Sequence, residues 1–195
     1  MIPAGGIPGR THGVLADLPP AGFAVVMATG IVSIGAHLQA LPRLAHALFA
    51  LNILAWTALC AMNVLRLWRH RARFLDDLTS HVRAPGFFTA VAGTGVLGAQ
   101  FELLSGNHRA AAVLGAVAAA LWVALTYSVF LALTVRSEKP VLARGLSGTW
   151  LLAIVATQSV AVLAAQLAVH ASAPWKLELN FLALSMWLSG GMLYA

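Results

Sequence analysis

The chain has 195 residues, of which 60% are hydrophobic and only 9% are charged. Soluble globular domains carry about 25% charged residues, so this chain has too little charge to cover a surface in water. The net charge of +6 is not carried by a soluble basic surface, which argues against a nucleic-acid partner. The composition therefore indicates a protein whose solvent is the lipid bilayer.

Six long stretches contain no Asp, Glu, Lys or Arg, and each has close to the roughly 20 residues that a membrane-spanning helix needs. They cover residues 18–42, 44–65, 84–101, 110–135, 145–175 and 179–195. None shows the strict alternation of a membrane barrel strand. We predict an all-α polytopic membrane protein, with a disordered cytoplasmic tail over 1–20 and a single transmembrane domain over 21–195. The predicted helices lie near 21–41, 44–67, 85–103, 110–135, 146–170 and 177–195.

The chain repeats itself from the first predicted helix to the third. The residues Pro20, Phe23, Thr29 and Gly30 recur as Pro85, Phe88, Thr94 and Gly95, all at a spacing of 65 residues. A weaker third match reaches Thr157 and Gln158 in the fifth helix. The pattern predicts three consecutive helical hairpins, and internal repeats of this kind are common in transporters.

The two helices of each predicted hairpin differ in polarity. Gly, Ser, Thr, Asn and Gln make up 19 of 57 residues in helices one, three and five, but 7 of 46 in helices two and four. Lipid-facing positions have no use for hydroxyls and amides, so we expect odd helices inside and even helices outside. Trp56, Trp68 and Trp122 lie on even helices and suit that outer layer.

This difference gives a candidate path through the membrane. The predicted pore-lining residues are Thr29, Gly30, Ser33, Thr94, Gly95, Thr157 and Gln158. Small residues four apart also let helices pack closely, as Thr29 with Ser33 or Thr94 with Gly98 would. The sequence leaves two roles open for each of these residues: lining the path or packing one helix against another.

The basic residues predict how the chain is threaded. Nine lie in the N-terminal tail and in the loops after the second and fourth helices, while the alternate loops hold only Arg43, Arg109 and Lys176. Positive residues accumulate on the cytoplasmic side, so we predict a cytoplasmic N-terminus. The segment from Leu65 to Arg83 mixes basic and apolar residues and is expected to lie on the membrane surface.

The sequence shows no catalytic constellation. It has no Gly-x-Ser-x-Gly, phosphate loop or intramembrane carboxylate pair, and its seven histidines do not pair at helical spacing, so we assign no catalytic residue, metal ligand or cofactor. The acid closest to a helix core is Glu102, which we interpret as an end-of-helix anchor. A path of glycine backbone, hydroxyls and amides without negative charge suits an anion.

Two runs of residues suggest a family. The run Phe23-Ala-Val-Val-Met-Ala-Thr-Gly-Ile-Val-Ser33 resembles the first helix of the tellurite-resistance/dicarboxylate transporter family, also called the voltage-dependent anion channel family. The run Gly148-Thr-Trp-Leu-Leu152, with Val155-Ala-Thr-Gln-Ser-Val160, resembles its fifth helix. The resemblance extends over nearly the whole chain.

The resemblance implies a fold of ten helices, in five hairpins around a central pore, assembled as a homotrimer in the inner membrane. It implies transport of small anions such as dicarboxylates, sulfite, chloride or nitrate, with a link to tellurite resistance. The family's gating phenylalanine lies on the ninth helix, so no phenylalanine of this chain is assigned to that role. We expect a chain cut within its sixth helix; the alternatives are a compact six-helix protein and a non-autonomous fragment with a structural or accessory role.

Overall fold

The structure is a computed structural model that describes residue 13, residues 15–135 and residues 148–194. Most of the predicted N-terminal tail lies outside these residues. So do Arg10, Arg136, Lys139 and Arg144, four of the basic residues on which the predicted threading depends.

The regular secondary structure of the described residues is entirely helical, which confirms the predicted all-α class. The longer helices are α1 (Ala24–Leu38), α2 (Pro42–Arg69), α3 (Arg71–Thr79), α4 (Phe88–Gln100), α5 (His108–Val135), α6 (Leu151–His170) and α7 (Trp175–Tyr194). A π-helical turn over Phe101–Ser105 extends α4, and Gly106 ends it in the left-handed conformation with φ of 60°. That conformation favours glycine because glycine has no Cβ.

Five helical segments are long and apolar enough to cross a membrane: Pro20–Leu38, Pro42–Arg69, Ala84–Ser105, His108–Ala132 and Gly148–His170. They correspond to the first five predicted helices. The sixth, α7, is helical but is not among these candidate spans. It carries Lys176, Glu178 and Asn180 in its first two turns, which lowers its hydropathy.

The repeat seen in the sequence has a structural counterpart at the start of each hairpin. A single 3₁₀ turn precedes α1 (Pro20–Phe23), α4 (Ala84–Phe87) and α6 (Gly148–Trp150). In the first two of these turns, a proline occupies one of the first two positions. Proline is tolerated there because the first N–H groups of a helix have no partner within the helix. The first two turns also pack against each other. The first two hairpins therefore begin with the same local structure.

Burial separates the helices of each hairpin. We compared the share of buried residues in the most apolar stretch of each candidate span. It is 28% for the span containing α1, 72% for α4 and 44% for α6. It is only 11% for the span containing α2 and 17% for α5. Helix α4 packs against α1, α2, α5 and α6. The main hydrophobic core joins α4, α5 and α6 through Phe88, Val91, Ala118, Ala156 and Val160. Helix α4 is therefore the central element.

The segment between α2 and α4 contains the short helix α3, where the sequence predicted an amphipathic extension. Phe74 on α3 packs edge-on against Phe87, and Leu78 packs against the main core. The buried Arg66 pairs with the buried Asp77, which also bonds Arg83 at 3.0 Å. These contacts fasten α3 to the end of α2 and to the start of the second repeat.

Candidate functional site

Two of the predicted lining residues accept hydrogen bonds from tryptophans of a neighbouring, less buried helix. Trp56 on α2 donates its indole N–H to Thr94 Oγ1 on α4 at 3.0 Å, and Trp122 on α5 donates to Thr157 Oγ1 on α6 at 2.7 Å. Each threonine hydroxyl donates in turn to a carbonyl one helical turn earlier, at 2.7 Å and 2.8 Å. The second pair has the same arrangement as the first pair and lies one hairpin later in the chain.

A buried polar cluster lies where α1, α2 and α4 meet. Asn52 on α2 donates to Gln100 Oε1 on α4 at 2.6 Å, and both side chains are completely buried. Gly30 on α1 packs directly on this pair: a Cβ at Gly30 would lie 2.9 Å from Asn52 Nδ2 and 3.2 Å from Gln100 Oε1. Among the described residues, Asn52 Oδ1 and Gln100 Nε2 have no partner.

The other predicted lining residues face different neighbours. Buried Ser33 donates to the carbonyl of Ala45 on α2 at 2.8 Å. Gly95 packs on Ser159 of α6, where a Cβ at Gly95 would lie only 2.8 Å from Ser159 Oγ. Gln158 donates to the carbonyl of Trp187 on α7 at 3.1 Å, and Thr29 is partly exposed on α1.

The seven residues are therefore spread over several helix contacts and do not form one cluster. Six of them contact an adjacent helix, which is what a packing role requires. Their role in lining a path stays a prediction. Asn52 and Gln100 were missed, because a count of polar residues by helix does not show which of them meet. The sequence did contain a signal for these two residues, because each is an amide inside a long apolar stretch. Polar side chains within membrane helices are costly and are often functional.

Charge is balanced in the polar pocket at the α3 end of the bundle. The pocket is lined by Asp17, Asp76 and Asp77 and by Arg66, Arg73 and Arg83. Basic residues at the mouth of a path raise the local concentration of anions only where acidic residues do not offset them. Three carboxylates offset three guanidinium groups here, so attraction of anions would depend on the remaining basic residues.

At the other end of the bundle, the fold assembles a group that spacing along the chain did not reveal. Glu102 is buried, and its Oε1 lies 2.8 Å from His108 Nδ1 and 3.6 Å from His170 Nε2. The sequence predicts an end-of-helix anchor at Glu102. It does lie in the turn that ends α4, but it is enclosed by protein and bonded to a histidine.

A family model described as voltage-dependent anion channel matches residues 17–195 of the chain. The chain belongs to this family. No curated protein and no solved structure matches it. The resemblance seen in the first and fifth predicted helices is thereby confirmed.

Membership in the voltage-dependent anion channel family identifies a multi-pass membrane protein of a group whose members are channels and transporters. The buried hydroxyls and amides described above suit such a protein. They are neutral hydrogen-bonding groups and add no negative charge to the membrane-spanning part of the chain.

Proposed function

We propose that this protein conducts small anions across the membrane along the inner helices α1, α4 and α6, with the even-numbered predicted helices outside them. The observation that carries the proposal is the match of residues 17–195 to voltage-dependent anion channels. The burial of α4, and the lower burial of α2 and α5, support the inner and outer placement.

The charge distribution supports an anion rather than a cation as cargo. Glu102 is the only acidic residue in the described part of the five candidate spans, and it lies in the last turn of its span. Cation sites and proton relays in membranes are usually built from intramembrane carboxylates. The buried Gln100 Nε2, which has no partner within the described residues, is a donor of the kind that replaces part of an anion's hydration shell.

The proposed cargo class is a dicarboxylate, sulfite, chloride or nitrate, with a role related to tellurite resistance. The proposed setting is an inner-membrane homotrimer with its N-terminus in the cytoplasm. Large exposed apolar side chains on α2 and α5, such as Leu54, Trp68 and Leu131, suit contact with lipid or with other subunits. Native mass spectrometry in detergent would give the subunit number.

Anion flux from liposomes tests the proposal. We expect purified protein to release chloride, nitrate, sulfite or malate faster than protein-free liposomes do, with potassium and valinomycin present to dissipate the membrane potential. A folded protein that releases none of the four anions above background would contradict the proposed function.

A substitution at Thr29 tests the proposed lining. Thr29 is the repeat counterpart of Thr94 and is partly exposed, so Thr29→Leu would narrow a path without breaking a tryptophan–threonine pair. We expect a several-fold loss of flux, and Thr29→Val, which keeps the side-chain size, is the matched control. Equal flux for Thr29→Leu and the parent protein would remove Thr29 from the lining.

A further inference from the structure

Three potential metal ligands converge from three different elements at the end of the bundle opposite α3. Glu102 lies in the π-helical turn over Phe101–Ser105, His108 is the first residue of α5, and His170 is the last residue of α6. One donor atom from each lies within 4.8 Å of the other two. The imidazole rings of the two histidines face each other with centroids 4.3 Å apart.

The carboxylate of Glu102 is incompletely satisfied. Its side chain is only 4% exposed, and its Oε2 has no hydrogen-bond partner among the residues that the structure describes. A buried carboxylate is costly unless it is paired with a cation or fully hydrogen-bonded. The histidines beside it are about half exposed, at 49% and 55%, so the group is accessible from solvent.

The backbone at this position is unusual as well. The π-helical turn inserts an extra residue into the helix just where Glu102 lies, and Gly106 then reverses the chain so that His108 returns toward the carboxylate. Here the turn brings Glu102 and His108, six residues apart, within hydrogen-bond distance.

We propose that Glu102, His108 and His170 bind a divalent transition-metal ion, with Zn²⁺ as the best-fitting ion. Two imidazole nitrogens and one carboxylate oxygen form a donor set that Zn²⁺ accepts, with ligand distances of about 2.0–2.2 Å and a fourth position left to water. The half-exposed imidazoles can rotate by the small amount needed to close around an ion. Mg²⁺ prefers oxygen ligands and does not suit this set.

Metal binding would join two hairpins. Helices α4 and α5 supply Glu102 and His108, and α6 supplies His170, so the ion would fasten the second hairpin to the third. The histidines also line a cavity between α5, α6 and α7, together with Trp175 and Leu179. A ligand that binds only the folded state stabilises it.

Isothermal titration of Zn²⁺ into the purified, tag-free, EDTA-washed full chain in detergent tests the proposal. We expect one Zn²⁺ per chain, no detectable Mg²⁺ binding, and a higher unfolding midpoint with Zn²⁺. Glu102→Gln and His170→Ala should each weaken Zn²⁺ binding at least tenfold. His37→Ala, at an exposed histidine outside the group, is the matched control and should bind Zn²⁺ like the parent protein.

A second measurement covers the case in which Glu102→Gln unfolds. His170 is half exposed, so His170→Ala should leave the fold intact, as its unfolding midpoint in EDTA will show. X-ray absorption of the Zn²⁺-loaded parent should report two imidazole ligands. Absence of Zn²⁺ binding, or equal affinity in His170→Ala and the parent, would overturn the proposed site; neither result bears on anion flux.

Discussion

Tryptophan–threonine hydrogen bonds connect the second helix of one hairpin to the first helix of the next, once from Trp56 to Thr94 and once from Trp122 to Thr157. A tryptophan inside a membrane helix buries a large apolar ring but must still place its N–H on an acceptor. Threonine suits this task because its hydroxyl accepts from the indole while donating to its own helix. This contact accounts for the position of two threonines, Thr94 on α4 and Thr157 on α6.

We expect Trp56→Phe to lower the free energy of unfolding by about 1 kcal/mol, the net worth of one hydrogen bond. The measurement is the thermal unfolding midpoint in detergent. Trp68→Phe is the matched control, because Trp68 lies on the same helix and is 80% exposed.

A double-mutant cycle separates this bond from lost packing. Thr94→Val alone should destabilise the protein, but should add little in the Trp56→Phe background because the bond is already absent. Fully additive effects would show that the two side chains do not interact.

At the scale of elements, close approach of helices explains where the small residues lie. Gly30 allows α1 to pack on the Asn52–Gln100 pair, and a side chain there would also meet Val96. Gly35 lies further along the same helix and has nothing within 4 Å of a Cβ position. Two glycines of one apolar helix therefore have different roles.

This difference gives a matched pair of variants. Gly30→Ala should destabilise the protein by about 1–3 kcal/mol, because it overpacks a buried contact. Gly35→Ala should stabilise it by about 0.5–1 kcal/mol, because alanine is the better helix former and meets open space. Thermal unfolding of both variants in one detergent checks the pair, and a Gly30→Ala variant as stable as the parent would contradict the described packing.

At the scale of the whole molecule, the proposed threading puts the α3 end of the bundle in the cytoplasm and the Glu102 end outside. In a Cys60→Ala background, which removes the single native cysteine, Val82→Cys and Ser172→Cys report on the two ends. Both positions are exposed.

We expect a membrane-impermeant maleimide to label Ser172→Cys in intact cells, and Val82→Cys only after permeabilisation. The physical reason is the excess of basic residues in the loops on the Val82 side. The reverse labelling pattern would invert the proposed orientation and would place the Glu102 group on the cytoplasmic side.

The sequence by itself determined the class of protein and the family. Charge-free stretches of about 20 residues can only be helices in a bilayer, because each backbone N–H and C=O must be satisfied within its own segment. The repeat from Pro20 to Pro85 likewise predicted hairpins. In the structure, a 3₁₀ turn precedes α1, α4 and α6, the first helix of each predicted hairpin. Helical segments and repeated turns depend on residues that are close in the sequence, so the pattern of residue types along the chain is enough to predict them.

Only the tertiary structure decided which side chains meet. Thr94 and Thr157 looked alike from the sequence as lining or packing residues, and the fold gives each a tryptophan partner. Glu102, His108 and His170 showed no common spacing, yet the fold brings them together at one helix end. Contacts between helices depend on how each helix is rotated about its axis, and in lipid no hydrophobic stripe marks that rotation, because apolar residues suit both the core and the acyl chains.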